Sequence, residues 1–121
     1  MEEEVLKAIE ELKEKARNGW VIVVEGNKDK NALRLLGVEG EIVVFNGFSK
    51  TVEKLRGRKI VILTDYDEKG IKIEKGLIEV LSECRNVDVE IKKRIFCYLK
   101  KEVTKVEELY DYLMREGYVG F

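Results

Sequence analysis

The sequence predicts an α/β fold, a mostly parallel sheet with helices on both faces. Three observations carry that expectation. Val21-Ile22-Val23-Val24, Glu41-Ile42-Val43-Val44-Phe45 and Lys59-Ile60-Val61-Ile62-Leu63 are apolar, largely β-branched runs without polar alternation, the pattern of strands covered on both faces. Helical periodicities lie between them, so the connections read as βαβ units with right-handed crossovers. Each run closes on a polar or acidic residue: Glu25, Asn46 or Asp65. In parallel sheets, ligands bind outside the carboxyl ends of the strands, near a switch in strand order.

Taken in order, Val5, Leu6, Ile9, Leu12 and Ala16 recur at helical spacing, so residues 2–17 read as an amphipathic helix closed near Arg17 and Gly19. The first strand, Val21–Val24, leads through Glu25-Gly26-Asn27-Lys28-Asp29 into a short helix carrying Ala32, Leu33, Leu35 and Leu36, which Gly37 stops. After the second strand and Asn46-Gly47, Ser49 is placed to cap a brief helix through Val52 and Leu55 that ends at Gly57. The third strand feeds Leu63-Thr64-Asp65-Tyr66-Asp67-Glu68-Lys69-Gly70. A longer helix follows, with Ile73, Leu77, Ile78, Leu81 and Cys84 on one face. Val87-Asp88-Val89-Glu90-Ile91 alternates and reads as a fourth, partly exposed strand near an edge. Residues 93–101 fit helix slightly better than strand. Thr104-Lys105-Val106-Glu107 has the form of a capping box, opening a last helix through Leu109, Tyr110 and Leu113 that Gly117 closes.

At 121 residues the chain reads as one domain, with no internal repeat or linker. It has no histidine and only two cysteines, which excludes a structural zinc site within the chain; Cys84 and Cys97 read as buried structural thiols. Its acidic N-terminus lacks the build of a signal peptide, and no apolar run approaches the about 20 residues that cross a bilayer. A cytoplasmic protein without membrane contact is therefore expected. Charged residues make up 39% of the chain, yet the net charge is only −1, which argues against indiscriminate nucleic-acid binding.

Asp65 and Asp67 lie two apart where a strand opens into a loop, so both side chains project the same way. Like charges that close need a proton, a hydrogen-bond network or a cation, and oxygen ligands suit a hard divalent ion. Glu25 ends another strand in the same manner. If the two strands are neighbours, three carboxylates face one cleft, and magnesium held there would bridge to phosphate oxygens. Glu25 is also the candidate general acid or base, because the chain offers no histidine. The competing readings are local. Asp67 can cap the helix that begins near Gly70, Asp65 can simply end its strand, and Asp29 reads first as a helix cap or first-turn acid. Gly26, Gly47 and Gly70 follow these strand ends and permit tight turns or close backbone approach, which ordinary turn chemistry also explains. No phosphate-loop or G-x-G-x-x-G motif is present.

Two basic stretches are candidates for gripping a nucleic-acid backbone. One holds Lys50, Lys54, Arg56, Arg58 and Lys59. The other holds Lys92, Lys93, Arg94, Lys100, Lys101 and Lys105, with Phe96 and Tyr98 interleaved for stacking on bases. Aromatics in such a pattern also serve as core and lysines as a solvated face.

The motifs together resemble a known family. The strand ending in Glu25-Gly26, followed by Asn27-Lys28-Asp29, is similar to the first motif of the Toprim domain. Thr64-Asp65-Tyr66-Asp67 with Gly70 is similar to its Asp-x-Asp motif, and Asn46-Gly47 matches the turn between them in small members. The resemblance covers residues 20–92. It implies a Rossmann-like Toprim fold with a four-stranded sheet, and a Mg2+ site at Asp65 and Asp67, with Mn2+ as a substitute. Glu25 would serve as ligand or acid/base in phosphodiester chemistry on nucleic acid. Topoisomerases, bacterial-type primases and RecR proteins carry further domains or zinc cysteines that this chain lacks. It therefore resembles most the small stand-alone members: the nuclease that matures 5S ribosomal RNA and short archaeal Toprim proteins. From this follows the expectation of a small nuclease or RNA-processing protein acting on structured RNA, without a membrane partner and open to a protein partner. A non-catalytic binding module is the alternative. A response-regulator phospho-acceptor domain is disfavoured by the paired aspartates and the missing fifth strand.

Overall fold

The computed structural model describes residues 2–81, 86–99 and 102–118. Helix α1 (Glu2–Arg17) leads into strand β1 (Val21–Val24), helix α2 (Asn27–Leu35), strand β2 (Ile42–Val44) and helix α3 (Phe48–Leu55). Strand β3 (Ile60–Ile62), helix α4 (Glu68–Val80), strand β4 (Val87–Asp88) and helix α5 (Glu90–Leu99) follow. The described chain ends with a 3-10 turn (Val106–Glu108) running into helix α6 (Leu109–Arg115).

All strand pairings are parallel, and the order is β2-β1-β3-β4. The β-branched run of β1 occupies the centre because every one of its residues is buried, as a strand covered on both faces requires. Ile22 and Val24 turn toward one apolar layer with Val61 and Leu63 of the β3 segment, joined there by residues of α1, α2, α5 and α6. Val21, Val23, Ile60 and Ile62 face the other layer, with Leu55 of α3 and Ile73 and Leu77 of α4. The alternation along the strands thus sorts the helices into two layers, as the fold class predicts. Since β1 feeds β2 on one side and pairs with β3 on the other, the strand order switches between β1 and β3.

Several local expectations are corrected. The fourth strand is only Val87–Asp88; Ile91 is buried on α5, whose first turn is held by Asp88 Oδ1 accepting the Ile91 N–H at 3.0 Å. The ambiguous 93–101 stretch is helix as far as Leu99, and Lys100 and Lys101 lie outside the described residues, as does Cys84. Cys97 is exposed rather than buried, because α5 turns Ile91, Ile95, Phe96 and Leu99 inward and leaves position 97 on the outer face. Ile78 is likewise exposed on α4. Gly47, not Ser49, stands at the N-cap of α3, with φ +80°, where a side chain is strained. Thr104 makes no capping bond; Lys105 precedes the 3-10 turn, and that turn's leading amides are satisfied from elsewhere in the chain.

Candidate metal centre

The strand switch brings the two acidic strand ends together. Glu25 follows β1 and Asp65 lies just beyond β3, and the Asp65 N–H donates to Glu25 Oε2 at 2.7 Å across the join. Asp67 continues the loop and is the N-cap of α4, accepting the Gly70 N–H on Oδ1 at 2.7 Å. One carboxylate oxygen each from Glu25, Asp65 and Asp67 lies within 4.8 Å of the others. The capping reading of Asp67 and the clustered reading therefore hold at once, since a carboxylate has two oxygens to offer.

Asp65 is nearly buried, at 9% exposure, and its Oδ1 accepts the Val106 N–H at 2.8 Å. Asp29 does not join the trio. It lies beside it in the first turn of α2, where Oδ2 accepts the Gly26 N–H at 2.9 Å and Oδ1 accepts the Glu107 N–H at 3.0 Å. The first two amides of the 3-10 turn are thus capped by Asp65, just beyond β3, and by Asp29 in the first turn of α2. The Tyr66 N–H adds a bond to the Thr104 carbonyl at 2.7 Å. The carboxyls of both Asp29 and Asp65 are pushed up to about 6, first by burial and then by nearby carboxylates, Asp65 for Asp29, and Glu25 and Asp67 for Asp65, against the opposing pull of their backbone hydrogen bonds. Among the described residues, no ion pair reaches Glu25, Asp65 or Asp67. Crowded carboxylates without a basic partner form a donor set for a hard cation.

The remaining predicted residues divide clearly. Gly70 is required: a Cβ there would overlap the Asp65 carbonyl, 2.6 Å from its carbon, so only glycine lets α4 begin against the Asp65 backbone. Gly26 has φ −147°, a conformation any residue could adopt, and a Cβ there would meet only Asp29 Oδ2, at an ordinary contact distance of 3.8 Å. Asn46 lies two residues beyond β2 with an exposed side chain, its N–H held by Thr51 Oγ1 at 3.0 Å. The expected basic strip comes apart. Lys92 is 2% exposed, its ammonium bonded to Thr64 and Glu74, and Arg94 is paired with Glu11 of α1. Lys93 remains exposed. Phe96 is core, its ring stacked at 5.6 Å on that of Tyr66, while Tyr98 is exposed.

Compared with known proteins, residues 20–107 match the Toprim domain. The chain belongs to the Toprim family. Its fold and acidic trio agree with a family of nucleic-acid-related domains that bind divalent metals. A UPF0292 protein of Archaeoglobus fulgidus is 57% identical over 104 residues, covering 85% of this chain and 84% of that protein. A UPF0292 protein of Methanocaldococcus jannaschii is 32% identical over 120 residues, covering 92% and 91%. Among solved structures, a protein from Aquifex aeolicus superposes with a TM-score of 0.68 at 30% identity, over 84% of this chain and 94% of that one. The resemblance to small archaeal Toprim proteins is thereby borne out. The match also runs beyond residue 92 and takes in Val106 and Glu107, the residues whose amides the site acids hold.

What sequence reasoning missed is the bonding of those two amides to the site acids and the buried bonds of Lys92 to Thr64 and Glu74. Backbone donors leave no trace in residue type. Lys92 did leave one, since it lies three and four positions before Ile95 and Phe96 on the inward face of α5.

Proposed function

We propose that this protein carries out divalent-metal-dependent phosphodiester chemistry on nucleic acid, as a small nuclease or RNA-processing protein. The observation that supports this most is the convergence of Glu25, Asp65 and Asp67 from neighbouring strand ends, with one oxygen of each within 4.8 Å. The donors are all carboxylate oxygen, which suits Mg2+ and also Mn2+. A bound ion would supply neutralisation of phosphate charge and stabilisation of the charge that develops during displacement. Asp65 and Asp67 hold that ion. Glu25 completes the ligand set or moves a proton, a role that falls to a carboxylate in a chain without histidine.

Structured RNA is the proposed substrate class. With Lys92 buried and Arg94 paired, phosphate contact falls to exposed lysines in segments that start at the acid cluster. These are Lys28 in the first turn of α2, Lys69 in the first turn of α4, and Lys105 before the 3-10 turn, with Lys93 left from the original strip. The loss of that strip also favours a second reading, a binding module that holds RNA or a protein without turnover.

The test is cleavage of structured RNA, single-stranded RNA and DNA in Mg2+ or Mn2+. Asp65→Asn is expected to abolish cleavage while circular dichroism shows the fold intact. Unchanged cleavage by the folded variant overturns the mechanism. Saturable RNA binding by the wild type without cleavage in either metal selects the binding module.

A further inference from the structure

Outside the acid trio, the buried ion pair of Lys92 and Glu74 has no part in the chemistry proposed above. We propose that Lys92 is a positioning residue for the cation site, acting through the Thr64 hydroxyl on the loop that carries Asp65 and Asp67. The proposal rests on the trio being a cation site.

Lys92 reaches from α5 with a side chain that is 3% exposed, and its Nζ donates to Glu74 Oε1 at 2.8 Å and to Thr64 Oγ1 at 2.9 Å. Thr64 is fully buried, and its hydroxyl donates to the Gly70 carbonyl at 2.8 Å. An ammonium can only donate and a hydroxyl has a single proton. With a lysine on one side, the Thr64 proton is therefore committed to Gly70. Thr64 and Gly70 are the two ends of the loop. The same loop is tied a second time by the Gly70 N–H on Asp67 Oδ1, and a third time by the close approach of Gly70 to the Asp65 carbonyl. Glu74 lies one helical turn beyond Gly70 on α4, so the lysine also fastens that helix to the end of β3.

Stability alone does not account for the arrangement. Removing two charges from water costs about as much as their attraction returns, and an apolar pair of the same volume would pack as well. What an apolar pair lacks is the means to orient the Thr64 proton. The consequence is a loop held in one geometry before any ion arrives, with the two aspartates kept together against their repulsion.

The test compares Mn2+ affinity, by electron paramagnetic resonance or calorimetry, with melting temperature. Thr64→Val removes the hydroxyl and leaves the ion pair; Thr64→Ser keeps the hydroxyl. Lys92→Met combined with Glu74→Gln removes both charges together, so that neither is left buried alone. Thr64→Val and the double variant are expected to bind Mn2+ about 10- to 100-fold more weakly, the range for groups that orient metal ligands. Thr64→Ser is expected to retain wild-type affinity. Wild-type Mn2+ affinity in the folded double variant overturns the proposal, because a merely structural pair would change the melting temperature and not the affinity. Should Thr64→Val fail to fold, the double variant and Thr64→Ser still decide. A wild-type protein that binds no Mn2+ overturns the cation site itself, and this inference with it.

Discussion

At the scale of single residues, Asp65 and Asp29 are placed where a carboxylate is hardest to ionise. Both are drawn up from 3.8 to about 6, chiefly by burial. The sign of the effect on stability follows. The folded protein binds these protons more tightly than the unfolded chain, so the associated stability is fully present below 3.8 and is lost as pH rises through about 6. Metal-free protein is therefore expected to melt higher near pH 5 than near pH 7.5 on account of these two groups. Asp65→Asn should flatten that dependence, measured by thermal melts across this range in a chelating buffer. An equally steep dependence in the variant would show that Asp65 is not its source. The residues also mark how far sequence reading reaches. Glu25, Asp65 and Asp67 were legible because each follows a strongly apolar strand. Lys92 was misread because a lysine beside Lys93 and Arg94 suggests surface charge, whereas the helical spacing of Ile95 and Phe96 puts it inside.

At the scale of elements, Asp29 joins two segment starts with one side chain. It accepts the N–H of Gly26 ahead of α2 and that of Glu107 in the 3-10 turn, contacts separated by three residues and by seventy-eight. Asp29→Ala should therefore cost more than an ordinary cap, about 2 kcal/mol against about 1, with Asp29→Asn recovering part of it. Urea denaturation measures the difference, and a cost below about 0.5 kcal/mol would show that water replaces the lost acceptor. The local half of this contact was readable as a first-turn acid. The distant half was not, because the capping-box spelling of Thr104-Lys105-Val106-Glu107 offers its own nearby cap, and tertiary contact overrides it. Strand limits were overrun for a similar reason: Glu90 and Ile91 continue the alternation of Val87 and Asp88 by eye, yet Asp88 caps a helix there.

At the scale of the molecule, the parallel sheet and its two helical layers were legible because every connection carries the same signal, unbroken apolar strand followed by amphipathic helix. The strand order was not, since β1 pairs with both β2 and β3 through contacts no local pattern states. That order creates the cluster of like charges, and with it a linkage between ion and fold. At neutral pH a divalent cation that binds the folded trio should raise the melting temperature, by about 10 °C at a hundred times its dissociation constant. The rise should shrink near pH 5, where protons compete for the same oxygens. Calorimetric scans with Mn2+ and Mg2+ at both pH values check this; no rise at neutral pH would remove the site.

The amides of Val106 and Glu107 that close over Asp65 and Asp29 have a consequence for how the protein is made. A ribosome that has released the chain only as far as α5 has already delivered all four strands, but neither of those donors. Until the segment after α5 emerges, Asp65 and Asp29, both buried in the finished protein, stand without those bonds. The centre is completed only after the sheet has been made, by a segment that follows β4 and α5 in the chain.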